Sequence, residues 1–398
     1  MKALAGCRVL DLGIITAGAA TAAVLADFGA EVIKVESPSY RDPFRRWLSE
    51  RPVNAASDLP PFFRATNRSK LGLSLDLKYP QGREVFLKLV ANSDIVVENF
   101  RRGVMEKLGL SFATLRAANP NIILASISSQ GETGPEAPYV SYGSTLEAVG
   151  GLAWTTGYEN DAPTVSGVDL NYPDQVVALF ASSMIVTAWR ARLRGGGSVH
   201  LDMSQRELTS FLVGEAFAAA GAGHDTQRTG NSEFAHVLQD CFCSADGQWL
   251  AVTVDRGQCD ALSLIVAPSH DRLTPAELTH RVRDWVGSQP IATALRVLRE
   301  QRIAAALVMN GGQVYKHEGR VWGHALQRSP AGAVVKGFAL QFDHDPMTIT
   351  CEAPAIGTDT AYVLKHVANL SGADIEALEA AGVIELAAPS IGEESANV

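Results

Sequence analysis

Short apolar runs alternate with helical stretches through the first 130 residues, and this alternation limits the fold more than any other feature. Residues 8–12, 31–36, 71–77, 94–97 and 122–127 read as strands. Between them, 17–28 is an alanine-rich helix and 80–91 a helix with Pro80 in its first turn. Short, mainly apolar strands separated by helices predict a parallel sheet covered on both faces. In such a sheet the loops at the carboxyl ends of the strands form the ligand edge. The turn after the first strand carries Gly13 and Gly18 but lacks the compact G-x-G-x-x-G spacing. That argues against a nicotinamide dinucleotide site.

Beyond residue 130 the pattern predicts a long helix from 174 to about 194, a strand at 199–203 and a helix at 205–220. A glycine-rich polar stretch at 221–231 marks a change of domain. Mixed elements follow, with strands near Phe242 and at 249–254, and helices at 275–286 and 291–301. The tail returns to helices at 359–369 and 371–380, and Ser371 with Asp374 has the spacing of a capping box. Residues 390–398 read as a frayed end. The apolar run at 176–189 is too short and too punctuated to span a bilayer. With no charged-then-apolar leader before the first strand, the expected compartment is the cytoplasm.

Of 398 residues, 34 are basic and 43 acidic, giving a net charge of −9. That balance excludes a broad nucleic-acid footprint but leaves room for a local phosphate pocket. Arg41, Arg45, Arg46, Arg64, Arg68, Lys70, Arg101 and Arg102 recur in segments beside the strands. Such cations together suit a phosphate-rich ligand, although each taken singly reads first as a solvated surface charge. Cys7, Cys241, Cys243, Cys259 and Cys351 are scattered without metal-ligand spacing. They read as reduced thiols, and no metal is expected.

One carboxylate stands out. Asp174, in Asn171-Tyr172-Pro173-Asp174-Gln175, directly precedes the long apolar helix. There it can cap the helix, or act as a nucleophile on an activated acyl group. Gly131-Glu132-Thr133-Gly134-Pro135 is a tight glycine-punctuated loop whose spacing alone says little.

Taken in order, these pieces resemble the class III CoA-transferases, the CaiB/BaiF family. The resemblance rests on Leu10-Asp11-Leu12, the stretch 25–36, Asn67-Arg68-Ser69-Lys70, the stretch 74–78 and Val97-Glu98-Asn99-Phe100-Arg101. It continues through the 131–135 loop, the Asp174-to-Asp202 spacing, Arg228-Thr229-Gly230-Asn231, Asp246-Gly247-Gln248-Trp249 and 370–384. It implies an α/β fold with a large Rossmann-like domain, residues 1–205 completed by 330–398. A smaller α+β domain at 225–325 would follow a linker helix region at 206–224. Two such chains would thread through each other as an interlocked dimer.

The implied reaction moves CoA from an acyl-CoA donor to a carboxylic acid through an aspartyl anhydride and an aspartyl-CoA thioester. It implies Asp174 as nucleophile, with Gly131 and Gly134 offering oxyanion donors. It implies Arg68, Lys70, Lys78 and Arg101 for the CoA phosphates, with Asn99 and Phe100 lining the nucleotide pocket. CoA thioester is then a substrate, with no permanently bound cofactor. The expected partners are acyl-CoA, an acid and a second chain, either identical or a paired subunit; nucleic acid and membrane are not expected.

Three departures matter. Ser37 stands where the family often has arginine, and Ala178 where it often has glycine. The glycine-rich or Pro-His-Gly segment near Leu238-Gln239-Asp240 is missing. Asp169, a second nearby carboxylate, fits the family spacing less well than Asp174. Two alternatives stay open: an α-methylacyl-CoA racemase, which needs a base on each face of the α-carbon, and a catalytically silent CoA-binding subunit. Tyr142-Gly143 stands where the racemase histidine would fall.

Overall fold

The computed structural model describes residues 2–47, 59–167, 170–224, 226–267, 273–316, 325–338 and 347–387. The predicted alternation forms a six-stranded parallel sheet of β1 (Arg8–Asp11), β2 (Glu31–Glu36), β3 (Leu71–Ser74), β4 (Ile95–Glu98), β5 (Ile123–Ser128) and β6 (Val199–Ser204). The strand order is β3-β2-β1-β4-β5-β6. The order reverses between β1 and β4, where the loops leaving neighbouring strands diverge and open a crevice.

Side-chain alternation sends each strand's apolar residues to two separate cores. Leu10, Ile33, Val96 and Leu124 pack with Phe86, Leu89, Val363, Leu364 and Ile375. Val9, Val32, Val97 and Ala125 pack with Leu25, Val177, Ala181 and Ile185. The helix Ala17–Asp27 is buried along its whole length, and its small residues let the helix Tyr172–Leu193 approach closely. Each fully buried large apolar side chain contributes about 1.5–3 kcal/mol.

The helix Tyr172–Leu193 has 22 residues, long and apolar enough to cross a membrane by length and composition. This corrects the shorter run expected from the sequence. Its Val177, Ala181 and Ile185 nevertheless belong to the second core. The C-terminal segment closes on β3: Gly72 donates to the Asp359 carboxylate at 2.7 Å, and Ser74 to Thr360 Oγ1 at 3.0 Å. After Ser74 the chain leaves the sheet, and Asp76 donates to the Val383 carbonyl at 2.8 Å. β3 is therefore shorter than the predicted 71–77 strand.

Contacts group residues Met1–Leu152, Val165–Val213 and Gly323–Val398 into one unit, and Ala153–Thr164 with Gly214–Trp322 into another. The predicted single helix at 205–220 is two helices, Gln205–Leu212 and Gly214–Gly221. The second unit contains the antiparallel strands β7 (Leu238–Cys243), β8 (Trp249–Val254) and β9 (Ala304–Val308). Val282, Val286, Ala294 and Leu298, from the helices Pro275–Gly287 and Ile291–Glu300, share its core. Leu238-Gln239-Asp240, where the expected glycine-rich segment is missing, opens β7. The capping box of Ser371 and Asp374 forms at the head of the helix Gly372–Ala380. Residues 390–398 lie outside the described residues, as does Asp169.

Candidate active site

A cavity of about 550 Å³ runs along the carboxyl edge of the large sheet. Every strand delivers residues to it: Leu12 after β1, Ser37 after β2, Lys78 after β3, Asn99 after β4, Ser129 after β5 and Gln205 after β6. Six strands at their usual spacing span about 24 Å, so the edge suits an elongated ligand.

The cavity wall at the switch point is held by buried charges. Asp11 Oδ1 accepts the Gly13 N–H at 2.8 Å, and Asp11 Oδ2 accepts Lys70 Nζ at 2.7 Å. Lys34 Nζ donates to the Gly13 carbonyl and, at 3.0 Å, to Asp42. Asn99 straps the loop from the other side: its Oδ1 accepts the Ile14 N–H at 2.8 Å, and its Nδ2 donates to the Ile14 carbonyl at 3.0 Å. Gly13 in this loop meets Gly18 in the first turn of the helix Ala17–Asp27. A Cβ on Gly13 would lie 2.4 Å from the Gly18 carbonyl carbon, so close backbone approach explains both glycines. Burial pushes Lys70 down to about 8 despite the opposing pull of Asp11. Burial also acts to raise Glu36, but hydrogen bonds from Arg45 and the charge of Lys34 bring it down to about 2.

Asp174 lies at the head of the helix Tyr172–Leu193, in its first turn. Asn171 occupies the N-cap position in the left-handed region at φ 46°, so Asp174 is not the cap expected from the sequence. The helix begins two residues before Asp174, with Pro173 in its first turn, where the fixed φ of proline is well tolerated. Asp174 is half-buried and lines the cavity, while its Oδ2 is fully enclosed and has no hydrogen-bond partner. Burial raises its pKa to about 6; the backbone amides of Asp174 and Ala17 oppose that rise. Gly143 faces it closely, and a Cβ there would lie 3.0 Å from Asp174 Oδ2 and 2.9 Å from Asn171 Cα. Sequence reasoning missed this role of Gly143, because it depends on two loops converging.

The cavity brings together Asp174, Lys78, Asn99, Phe100, Arg101 and Arg102 from the residues singled out in the sequence, and adds Gln205. It does not include Arg68, Lys70, Gly131 or Gly134. Arg68 forms a buried ion pair with Asp27, and Lys70 one with Asp11. The Gly131 N–H donates to Ser128 Oγ at 2.8 Å, and the next amide, that of Glu132, to the Asp202 carboxylate at 3.1 Å. Both glycines have positive φ, which fits a turn. Among the other cations, Arg45 is committed to Glu36 and Arg41 to Glu385. Ser37, in place of the family's arginine, lines the cavity, and Ala178 is buried in the helix. Among the described residues no histidine lines the cavity, so the two-base arrangement of a racemase finds no such residue among them.

Residues 4–360 match CoA-transferase family III. The chain belongs to that family. It is 28% identical over 404 residues to the succinyl-CoA–L-malate CoA-transferase alpha subunit of Chloroflexus aurantiacus, covering 96% of this chain and 92% of that protein. It is 35% identical over 309 residues to the acetyl-CoA:oxalate CoA-transferase of Acetobacter aceti, covering 74% of this chain and 78% of that one. Among solved structures, a CaiB/BaiF family protein from Brucella suis superposes with a TM-score of 0.83 at 25% identity, over 92% of this chain and 99% of that one. The family assignment makes this chain a CoA-transferase, an enzyme acting on CoA thioesters.

Proposed function

We propose that the chain moves CoA from an acyl-CoA donor to a carboxylic acid with Asp174 as the covalent relay. The observation that supports this most is the enclosed, unpartnered Asp174 Oδ2 in the wall of an elongated cavity. A carboxylate oxygen without a hydrogen-bond partner retains its nucleophilicity, which donors to that oxygen would otherwise damp.

The cycle begins as a carboxylate oxygen of Asp174 attacks the thioester carbonyl. The C–S bond breaks, CoA thiolate leaves, and a mixed anhydride forms. The thiolate then attacks the aspartyl carbonyl of the anhydride, expelling the donor acid as a carboxylate and leaving aspartyl-CoA thioester. The acceptor carboxylate attacks that thioester and again releases thiolate, giving a second anhydride. Thiolate attack on the acceptor's carbonyl restores the Asp174 carboxylate and releases the new acyl-CoA. Every step exchanges one acyl partner for another, so the cycle balances without a permanently bound cofactor.

Lys78, Arg101 and Arg102 supply positive charge for the CoA phosphates, and Phe100 an aromatic surface in the same cavity. Succinyl-CoA and acetyl-CoA, donors named in the relatives, are the first to try. The assembly we propose is a dimer, with an identical chain or a paired subunit. It is supported by the exposed Leu179, Phe180 and Met184 on the helix that carries Asp174, and by Phe211 beside Phe180. A soluble, cytoplasmic enzyme fits a helix that gives one face to the core and its first turn to the cavity.

The test is exchange between donor and acceptor CoA esters by wild type and Asp174→Asn. We expect a loss of about 10⁴-fold or more, with acyl-CoA binding by calorimetry kept. Full exchange by the variant contradicts the relay. Binding without turnover in the wild type identifies a silent subunit instead.

A further inference from the structure

Gln205 is the first residue of the helix Gln205–Leu212, which Ser204 caps by accepting the Glu207 N–H at 3.2 Å. Gln205 lines the cavity and is only 6% exposed. Its side-chain oxygen, Oε1, is enclosed and has no hydrogen-bond partner among the described residues. Leaving a buried amide oxygen unpaired is unfavourable, so a ligand that brings a donor to it is favoured.

Two donors of the loop after β5 are committed elsewhere. Ser129 Oγ donates to the Ser141 carbonyl at 3.1 Å, and Gln130 Nε2 to Ser141 Oγ at 2.9 Å. The other unpartnered oxygen in the wall, Asp174 Oδ2, only accepts when ionised. The position of Gln205 separates it from the phosphate end of a CoA ester. Lys78 follows β3 at one edge of the sheet, and Arg101 and Arg102 follow β4. Gln205 follows β6 at the opposite edge, and its helix packs against the helix of Asp174.

The thioester group itself and an ionised carboxylate bring no hydrogen-bond donor, whereas a hydroxyl on the acid does; the pantetheine amides are the rival donors that the test must separate. We propose that Gln205 is a specificity-determining residue that accepts a hydrogen bond from a hydroxyl of the acceptor, so that the site selects hydroxycarboxylic acids. This rests on the CoA-transfer reading above.

The test uses the full-length protein, acetyl-CoA or succinyl-CoA as donor, and deuterium-labelled acids in matched pairs: malate with succinate, and lactate with propionate. CoA esters are resolved by mass. In wild type, kcat/KM favours the hydroxy acid by about 10- to 100-fold in at least one pair. Gln205→Met, similar in volume but without the acceptor, brings that ratio close to one. Gln205→Glu keeps an acceptor and keeps the ratio, while its added charge slows both acids. If the Met variant does not fold, Gln205→Asn, with a shorter reach, must lower the ratio instead.

A wild-type ratio near one, or a ratio unchanged by Gln205→Met, overturns the proposal. A raised KM for acyl-CoA with an unchanged ratio places the contact on the pantetheine arm and also overturns it. A preference for oxaloacetate over malate puts the amide nitrogen at that position and does the same. An Asp174 adduct without acid selectivity sinks only this inference; no adduct and no transfer to any acid sinks the CoA-transfer reading with it.

Discussion

At the scale of single residues, Asp174 carries the proposed chemistry at a cost in stability. Its folded pKa is raised to about 6 from an ordinary 3.8. For an acid raised in this way, the fold is favoured while the group stays protonated. That contribution is fully present below about pH 4 and is lost as pH rises through about 6. At pH 8 the buried charge costs up to about 3 kcal/mol. Asp174→Asn therefore raises the denaturation midpoint at pH 8 and leaves it almost unchanged at pH 4, while removing transfer activity. Equal midpoints at pH 8 contradict the burial argument. Transfer by the wild type should also fall as pH drops below about 6, read from initial rates.

Lys70 illustrates the opposite case. Lys70→Met leaves Asp11 buried and unpaired, and should cost about 3–5 kcal/mol in urea unfolding. The double change Asp11→Leu with Lys70→Met should recover much of that loss. The sequence exposed these cations but not their partners: Lys70 meets Asp11 across 59 positions, and Arg68 meets Asp27 across 41. Only the fold separates a cation that supports a loop from one that lines the cavity, such as Lys78.

At the scale of elements, the sheet was readable because its buried parallel strands are short, mainly apolar runs and their helices are punctuated by glycine and proline. The short helices Pro61–Asn67, Phe112–Ala118 and Gly143–Val149 were not, since seven residues show barely two turns of periodicity. The start of the helix Tyr172–Leu193 was also misplaced, because Asn171 in a left-handed conformation, rather than the aspartate, ends the preceding loop. The helix Gly143–Val149 begins against Asp174, and its first residue must be small. Gly143→Ala would push on Asn171 and on the Asp174 carboxylate together. A displacement near 1 Å lowers kcat about 100-fold, with thermal unfolding changed little. A wild-type kcat in that variant would show that the carboxylate has room to move.

At the scale of the whole molecule, the family resemblance was legible in motifs spread along most of the chain, whereas an assembly leaves only an apolar surface as its trace. Leu179, Phe180 and Met184 lie exposed on the helix of Asp174. Leu179→Asp with Phe180→Asp should lower the mass seen by light scattering to that of one chain, with the secondary structure kept. An unchanged mass would locate the dimer contact elsewhere. The central claim, covalent relay through Asp174, is tested most directly by the mass of the intact chain after incubation with succinyl-CoA and acetyl-CoA, with hydroxylamine or borohydride trapping. The account predicts a modification that maps to Asp174 and is absent from Asp174→Asn. A protein that turns over both esters with no adduct on Asp174 would contradict it.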